Sequence, residues 1–155
     1  MRRKDREIAD TILINSIIER CDVCRIAFAV DNMPYIVTLN FGYIPGAEPV
    51  FYFHCAREGR KLEMMAMNSQ VCFEMDTDHK LTKGPVGCDW GMQYSSVVGY
   101  GRLTTVNEED ERIRGLDAIM KHYGAQGPFN YKDKVLSNTL ILRLDVTEIT
   151  AKQKK

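Results

Sequence analysis

The chain has 155 residues, a length that suits a single domain, 1–155, with one sizeable core. Lysine plus arginine and aspartate plus glutamate each number 21, so the formal net charge is zero, which argues against a nucleic-acid partner or a broad membrane-surface footprint. No apolar run approaches the roughly 20 residues that span a bilayer, and none follows the basic start Met1-Arg2-Arg3-Lys4, so neither a membrane span nor a signal peptide is expected.

From about Asp5 to Arg20, the positions Ile8, Ile12, Leu13, Ile17 and Ile18 recur at helical spacing and predict an amphipathic helix. A strand is expected over Asp22 to Val30, ended by the turn pair Asp31-Asn32. Pro34 then opens Tyr35 to Phe41, a second strand rich in β-branched and aromatic residues. The segment Ile44 to Pro49 reads as a hairpin connection, since neither of its prolines suits a central strand. The third strand begins at Val50, with Phe51 and Phe53 on one face and Val50, Tyr52 and His54 on the other. Within four residues the period changes, and Leu62, Met65 and Ala66 mark a short helix that stops near Asn68.

Gln70 to about Asp76 is a fourth strand, with Val71, Phe73 and Met75 facing one way. Thr77 to Met92, polar and broken by Gly84, Pro85, Gly87 and Gly91, reads as a long loop. A long strand follows over Gln93 to Val106, where Gly99 and Gly101 suggest a bend or a close backbone approach. Asn107 is expected to cap a helix that has Glu108, Glu109 and Asp110 in its first turn. Ile113, Leu116, Met120 and Tyr123 would line its buried face, and Gly124 would end it. A loop through Gly127-Pro128 and a helical turn near Tyr131–Leu136 lead to a last strand, Leu140 to Ile149, and a frayed end from Lys152 to Lys155. Six strands, three or four helices and no βαβ alternation make this a mainly β protein. The expected architecture is an antiparallel sheet curled into a barrel, with helices packed outside.

The strand-to-helix junction around His54 to Lys61 carries the clearest chemistry. Arg57, Arg60 and Lys61 stand against one anion, Glu58, beside Gly59 at a helix N-terminus. The dipole disfavours cations there. They could be a solvated helix face, as charge runs usually are, but their place at this end favours an anion such as a phosphate, which would compensate them and use the free N–H groups of the first turn. His54, next to this turn, could face a ligand or simply bond to backbone at a strand end.

Cys21-x-x-Cys24 lacks the second ligand pair of a structural zinc and the helical context of a redox motif, so core packing is expected. Cys55, Cys72 and Cys88 read as buried or incidental thiols, and five cysteines, an odd number, suit a reduced, cytoplasmic protein. Asp76-Thr77-Asp78-His79 reads as a polar strand end rather than a metal site. Gly99-Tyr100-Gly101 opens no helix and is not a dinucleotide fingerprint.

Four segments together resemble the pyridoxamine 5′-phosphate oxidase-like, FMN-binding split-barrel superfamily, and its nitroimidazole-resistance (Nim-like) branch most closely. They are Asn40-Phe41-Gly42-Tyr43, Phe53-His54-x-Ala56-x-x-Gly59-x-Lys61, Val71-Cys72-Phe73-Glu74 and Ser96-Val97-Val98-Gly99-Tyr100-Gly101. The resemblance implies a homodimer of six-stranded split barrels with FMN at the subunit interface. It implies that Ile36, Val37, Thr38, Leu39 and Asn40 run along the flavin ring, and that His54, Cys55 and Ala56 border the ring and ribityl chain. Arg60 and Lys61 fall where the oxidases bind phosphate, with Gly59 replacing a serine. Tyr94, Ser95 and Ser96 would reach the flavin from the other subunit, on a strand whose oxidase counterpart carries a glutamine near Tyr94. The tryptophan and arginine with which the oxidases hold their vitamin substrate are missing near Leu140–Lys152. The resemblance therefore implies an FMN-dependent oxidoreductase with His54 as the candidate catalytic group. It would act on a small organic acceptor, a nitro compound or quinone, with a nicotinamide or other donor. A non-catalytic flavin- or haem-binding protein is the alternative.

Overall fold

The computed structural model describes residues 3–155; Met1 and Arg2, which begin the basic N-terminal run, lie outside the described residues. Eight antiparallel strands carry the chain: β1 (Glu7–Ile8), β2 (Cys24–Val30), β3 (Met33–Leu39), β4 (Gly42–Ile44), β5 (Val50–Ala56), β6 (Gln70–Thr82), β7 (Gly91–Val106) and β8 (Thr139–Lys154). They pair in the order β3-β2-β6-β7-β8-β5-β4, with β1 beside the end of β8. Four α-helices flank them: α1 (Thr11–Glu19), α2 (Arg60–Met67), α3 (Glu109–His122) and α4 (Asp133–Asn138). The class is the expected one. The strand count exceeds six because the short β1 and β4 each pair with a longer neighbour.

The sheet curls because both of its ends feed one core. Ile26 and Phe28 of β2 share a cluster with Phe51 and Phe53 of β5, joined by Phe73, Met75, Val97 and Leu144. The rings of Phe51 and Phe73 lie 5.2 Å apart, and Phe41 meets Phe51 edge-on at 5.7 Å. Each fully buried phenylalanine contributes on the order of 2–3 kcal/mol from its removal from water. Helices α1 and α2 close this core with Ile14, Ile17, Ile18 and Met64. A second cluster on the outer face of β5 and β8 packs Tyr52 and Ile141 under Ala118 of α3.

The turn pair Asp31 and Asn32 adopts φ values of 49° and 61°, the primed turn of a two-residue hairpin, and sets β3 against β2 with Val30 opposite Met33. Gly99 answers a close approach. A Cβ built there would overlap the Glu148 carbonyl and the Phe73 ring. The register of β7 on β8 shifts between Tyr100 and Gly101, which is the expected bend.

Five expectations are corrected. The first helix does not begin at Asp5: it starts at Thr11, where the Asp10 carboxylate accepts from the Ile12 N–H at 2.9 Å, and Glu7–Ile8 is a strand. Residues 77–92 are not a loop. β6 runs on to Thr82 and β7 starts at Gly91, so only Gly84, Pro85 and Gly87 occupy the tip of a hairpin arm, and Gly91 pairs with Thr82. The polar flanks misled because both faces of that arm meet solvent, which removes the period-two signal. Asn107 does not cap α3: Glu108 is the cap residue and makes no side-chain cap bond.

The buried face of α3 is Gly115, Ala118 and Ile119, whereas Met120 and Tyr123 are exposed. The small residues win because Gly42 of β4 approaches the backbone of Ala118 and Ile119 so closely that no side chain fits between them. Finally, Lys152 and Lys154 are not frayed, because β8 pairs with β7 to Tyr94 and with β1 to Glu7.

Candidate functional site

The end of β5 and the start of α2 place the cationic turn. Phe51, Phe53 and Cys55 point into the barrel core, while His54, following Val50 and Tyr52, belongs to the opposite face and is exposed. Among the described residues the His54 side chain has no hydrogen-bond partner, so its imidazole is free to meet another molecule. Ala56 is exposed and pairs with Thr139 of β8.

Gly59 then turns the chain with φ 126° and ψ 162°, in the region that favours glycine, and serves as the N-cap of α2 without a side chain. Its carbonyl accepts from Leu62 N–H at 2.9 Å. This backbone explains the departure from serine at that position. An L-residue would be strained there whatever room surrounds it.

The three cations part ways. Arg57 Nε donates to the Ser137 carbonyl at the end of α4, at 2.5 Å. The Arg60 guanidinium stacks over the Tyr35 ring, 5.0 Å from its centre. Lys61 is half-buried beside Cys55; burial pushes the Cys55 thiol up while the Lys61 charge draws it down. Among the described residues none of the three forms an ion pair. The helix end therefore carries positive charge that the chain itself does not neutralise, although Glu58 and Glu63 stand nearby in sequence.

The Arg60–Tyr35 contact brings β3 to this turn. β3 is the outer strand of the sheet, so among the described residues one of its backbone edges has no strand partner. Val37 and Leu39 pack inward against the core, while Ile36, Thr38 and Asn40 face out, Ile36 with 62% exposure. The Asn40 side chain is committed: its Nδ2 donates to Tyr123 Oη at 3.0 Å.

Tyr94, Ser95 and Ser96 are not part of this cluster. They sit at the start of β7, opposite Lys154, Gln153 and Lys152 of β8, whereas His54, Cys55 and Ala56 pair with Ile141, Leu140 and Thr139 at the other end of β8. The steps from Ile141 to Gln153 amount to on the order of 40 Å of strand. Ser95 is fully buried; its hydroxyl donates to Asp78 at 2.7 Å and accepts from Gln153. Ser96 borders a concavity of about 330 Å³ with Val98, Tyr100, Glu148 and Thr150. The two segments thus lie at opposite ends of one strand.

The remaining candidates are structural in their contacts. Cys21 and Cys24 are buried in the core; burial pushes the Cys21 thiol up to about 12 and raises Cys24 as well, which suppresses the reactive thiolate. Asp76 pairs with Arg25 and His79, and Asp78 with Arg20. Among the described residues no group of three or more metal-ligating side chains is placed to hold an ion. No described helix is long and apolar enough to cross a membrane.

Sequence reasoning missed two features. A cleft of about 470 Å³ lies between the end of α1, β4 and α3, lined by Glu19, Tyr43, Arg114, Asp117 and Lys121, away from the cationic turn. Tyr35 was read only as a strand residue, and nothing in its spacing signals that it carries Arg60.

A curled antiparallel sheet, an open outer strand and a cationic turn beside it define a split barrel of the pyridoxamine 5′-phosphate oxidase type. The profile of the pyridoxamine 5′-phosphate oxidase family matches residues 13–153, and the chain belongs to that family. A putative 5-nitroimidazole antibiotic resistance protein from Bacteroides thetaiotaomicron is 31% identical, with 95% of this chain and 86% of that one covered at a TM-score of 0.82. An FAD and heme binding protein from Mycobacterium smegmatis shares the fold at 14% identity, covering 97% and 74% of the two chains at a TM-score of 0.81. A flavocytochrome from Azotobacter vinelandii does so at 14% identity, 100% and 72% coverage and a TM-score of 0.78. No protein of curated function matches the sequence.

Proposed function

We propose that the chain is an FMN-dependent oxidoreductase of the Nim-like type, active as a cytoplasmic homodimer on a small organic acceptor of the nitro or quinone class. The observation that carries this reading is the uncompensated charge of Arg60 and Lys61 at the N-terminus of α2, beside the open edge of β3.

The residues fit a phosphorylated flavin. A dianionic phosphate at α2 would meet the Lys61 ammonium, the Arg60 guanidinium and first-turn N–H groups, all charge-assisted donors. The unpaired backbone of Ile36 to Asn40 offers donors and acceptors to the polar edge of a ring, and Cys55 and Ala56 border its other side. Tyr94 and Ser96 would come from a second copy, with Ser95 holding that strand in place. Five free cysteines suit a reducing compartment. When bound, FMN supplies a two-electron carrier between a reduced nicotinamide donor and the acceptor. The chain's own residues would hold the phosphate and orient the ring, and His54 offers an exposed imidazole beside it.

A second reading, a flavin- or haem-binding protein without turnover, draws on the same exposed His54, since an imidazole could also ligate haem iron. The visible spectrum of the purified protein separates flavin from haem. Anaerobic reduction followed by addition of a nitroarene or quinone then decides turnover. Stoichiometric reoxidation on mixing supports the oxidoreductase, and flavin that stays reduced with every acceptor sinks it.

A further inference from the structure

Among the described residues no third strand pairs with the hairpin arm formed by the ends of β6 and β7. Pairing of β2 with β6 stops at Glu74, and pairing of β8 with β7 starts at Tyr94. From Lys80 to Gln93 the arm is therefore a two-stranded ribbon, with no further strand on either outer edge among the described residues. A two-stranded ribbon alone in water is marginal. This one also presents Leu81, Val86, Trp90 and Met92 to solvent, at 42 to 58% exposure.

Within that patch Trp90 is held in one orientation. Its Nε1–H donates to the Gly84 carbonyl at 3.0 Å across the tip, and the Lys83 ammonium lies 5.5 Å from the ring centre. An exposed indole fixed at its edge by Gly84, with Lys83 over one face, leaves the other face as a stacking surface. The arm grows out of Tyr94–Ser96, the segment that lies about a strand length from the cationic turn of the same chain. Any second copy that lends Tyr94 and Ser96 to the turn must bring the arm with it.

We propose that Trp90 of one copy forms a wall of the acceptor pocket of the other. This rests on the dimeric flavin site proposed above. The electron-rich face of the indole favours planar, electron-poor rings, so the ligand class it selects is the nitroarene or quinone rather than an aliphatic acceptor. Trp90 would act as a positioning residue, with no part in proton or electron transfer.

Mixed dimers test it. Chains carrying Lys61→Ala and chains carrying Trp90→Ala are co-expressed with different tags, and the heterodimer is isolated. If Trp90 serves the opposite site, one pocket of the heterodimer carries both lesions and the other none. Close to half of the wild-type turnover should then appear, although the Trp90→Ala homodimer is down about tenfold with aromatic acceptors. Trp90→Phe should restore most of that loss, and flavin content of both Trp90 variants should match wild type. A Trp90→Ala homodimer with unchanged turnover overturns the proposal, as does a heterodimer no more active than its parents. Protein that carries no flavin or runs as a monomer is recognised by spectrum and mass beforehand. That result removes the flavin reading itself, and this proposal with it.

Discussion

The guanidinium of Arg60, the first residue of α2, lies 5.0 Å from the centre of the Tyr35 ring on β3. That contact ties the helix whose N-terminus carries the cations to the strand whose backbone edge is open. It leaves Lys61 as the half-buried cation least committed to its own chain.

Replacing Lys61 by alanine should therefore weaken FMN retention by about ten- to a hundredfold, the weight of one charge-assisted bond to phosphate. The exposed Lys132→Ala should have no effect. Flavin-to-protein ratio after gel filtration measures both. Equal ratios would remove Lys61 from the site.

His54→Ala addresses the exposed imidazole on the outer face of β5. Turnover should fall by about a hundredfold, the low end for a positioned proton-transfer group, with flavin content intact. Undiminished turnover would reduce His54 to a strand-end residue.

Gly99→Ala tests the close approach of β7 to β8. Its Cβ would overlap the Glu148 carbonyl and the Phe73 ring, both fixed by the sheet and core, so the cost should be about 2–3 kcal/mol. Gly87→Ala, where a Cβ meets nothing, should stay within about 0.5 kcal/mol. Urea denaturation midpoints distinguish them.

Acid sensitivity should centre on Glu111. Its carboxylate accepts from Arg143 at 2.6 Å and from the buried Tyr52 hydroxyl at 3.0 Å, which fastens α3 to β5 and β8. The Arg143 hydrogen bond, above all, holds Glu111 below the ordinary carboxylate range. A lowered carboxylate stabilises the fold fully above its unfolded value, about 4.3, and loses that contribution as pH falls through the folded value. The stability gap between wild type and Glu111→Gln should thus be widest at neutral pH and close on acidification. A gap that widens in acid would reverse the assignment.

Much of this was legible in the chain. Alternation in Val50–His54 and Val71–Met75 located the core strands, and the clash of Arg60 and Lys61 with a helix dipole pointed to the turn. What stayed hidden depends on contacts distant in sequence. The Asn107 expectation used capping preference alone, and the apolar face assigned to α3 overlooked that Gly42 demands small partners. The two-stranded arm gave no periodicity because neither of its faces is buried. That Tyr94–Ser96 and His54–Ala56 lie at opposite ends of β8 follows only from the register, which no local pattern encodes.

The outer strand β3 has one further consequence. A row of unpaired N–H and C=O groups is a template for any passing strand, and the chain blunts it only at its start, with Pro34 behind the tight Asp31–Asn32 turn. From Ile36 to Leu39 the seam is open. Whatever covers it in the working protein is also a guard on solubility, and self-association of chains stripped of that cover should begin along those four residues.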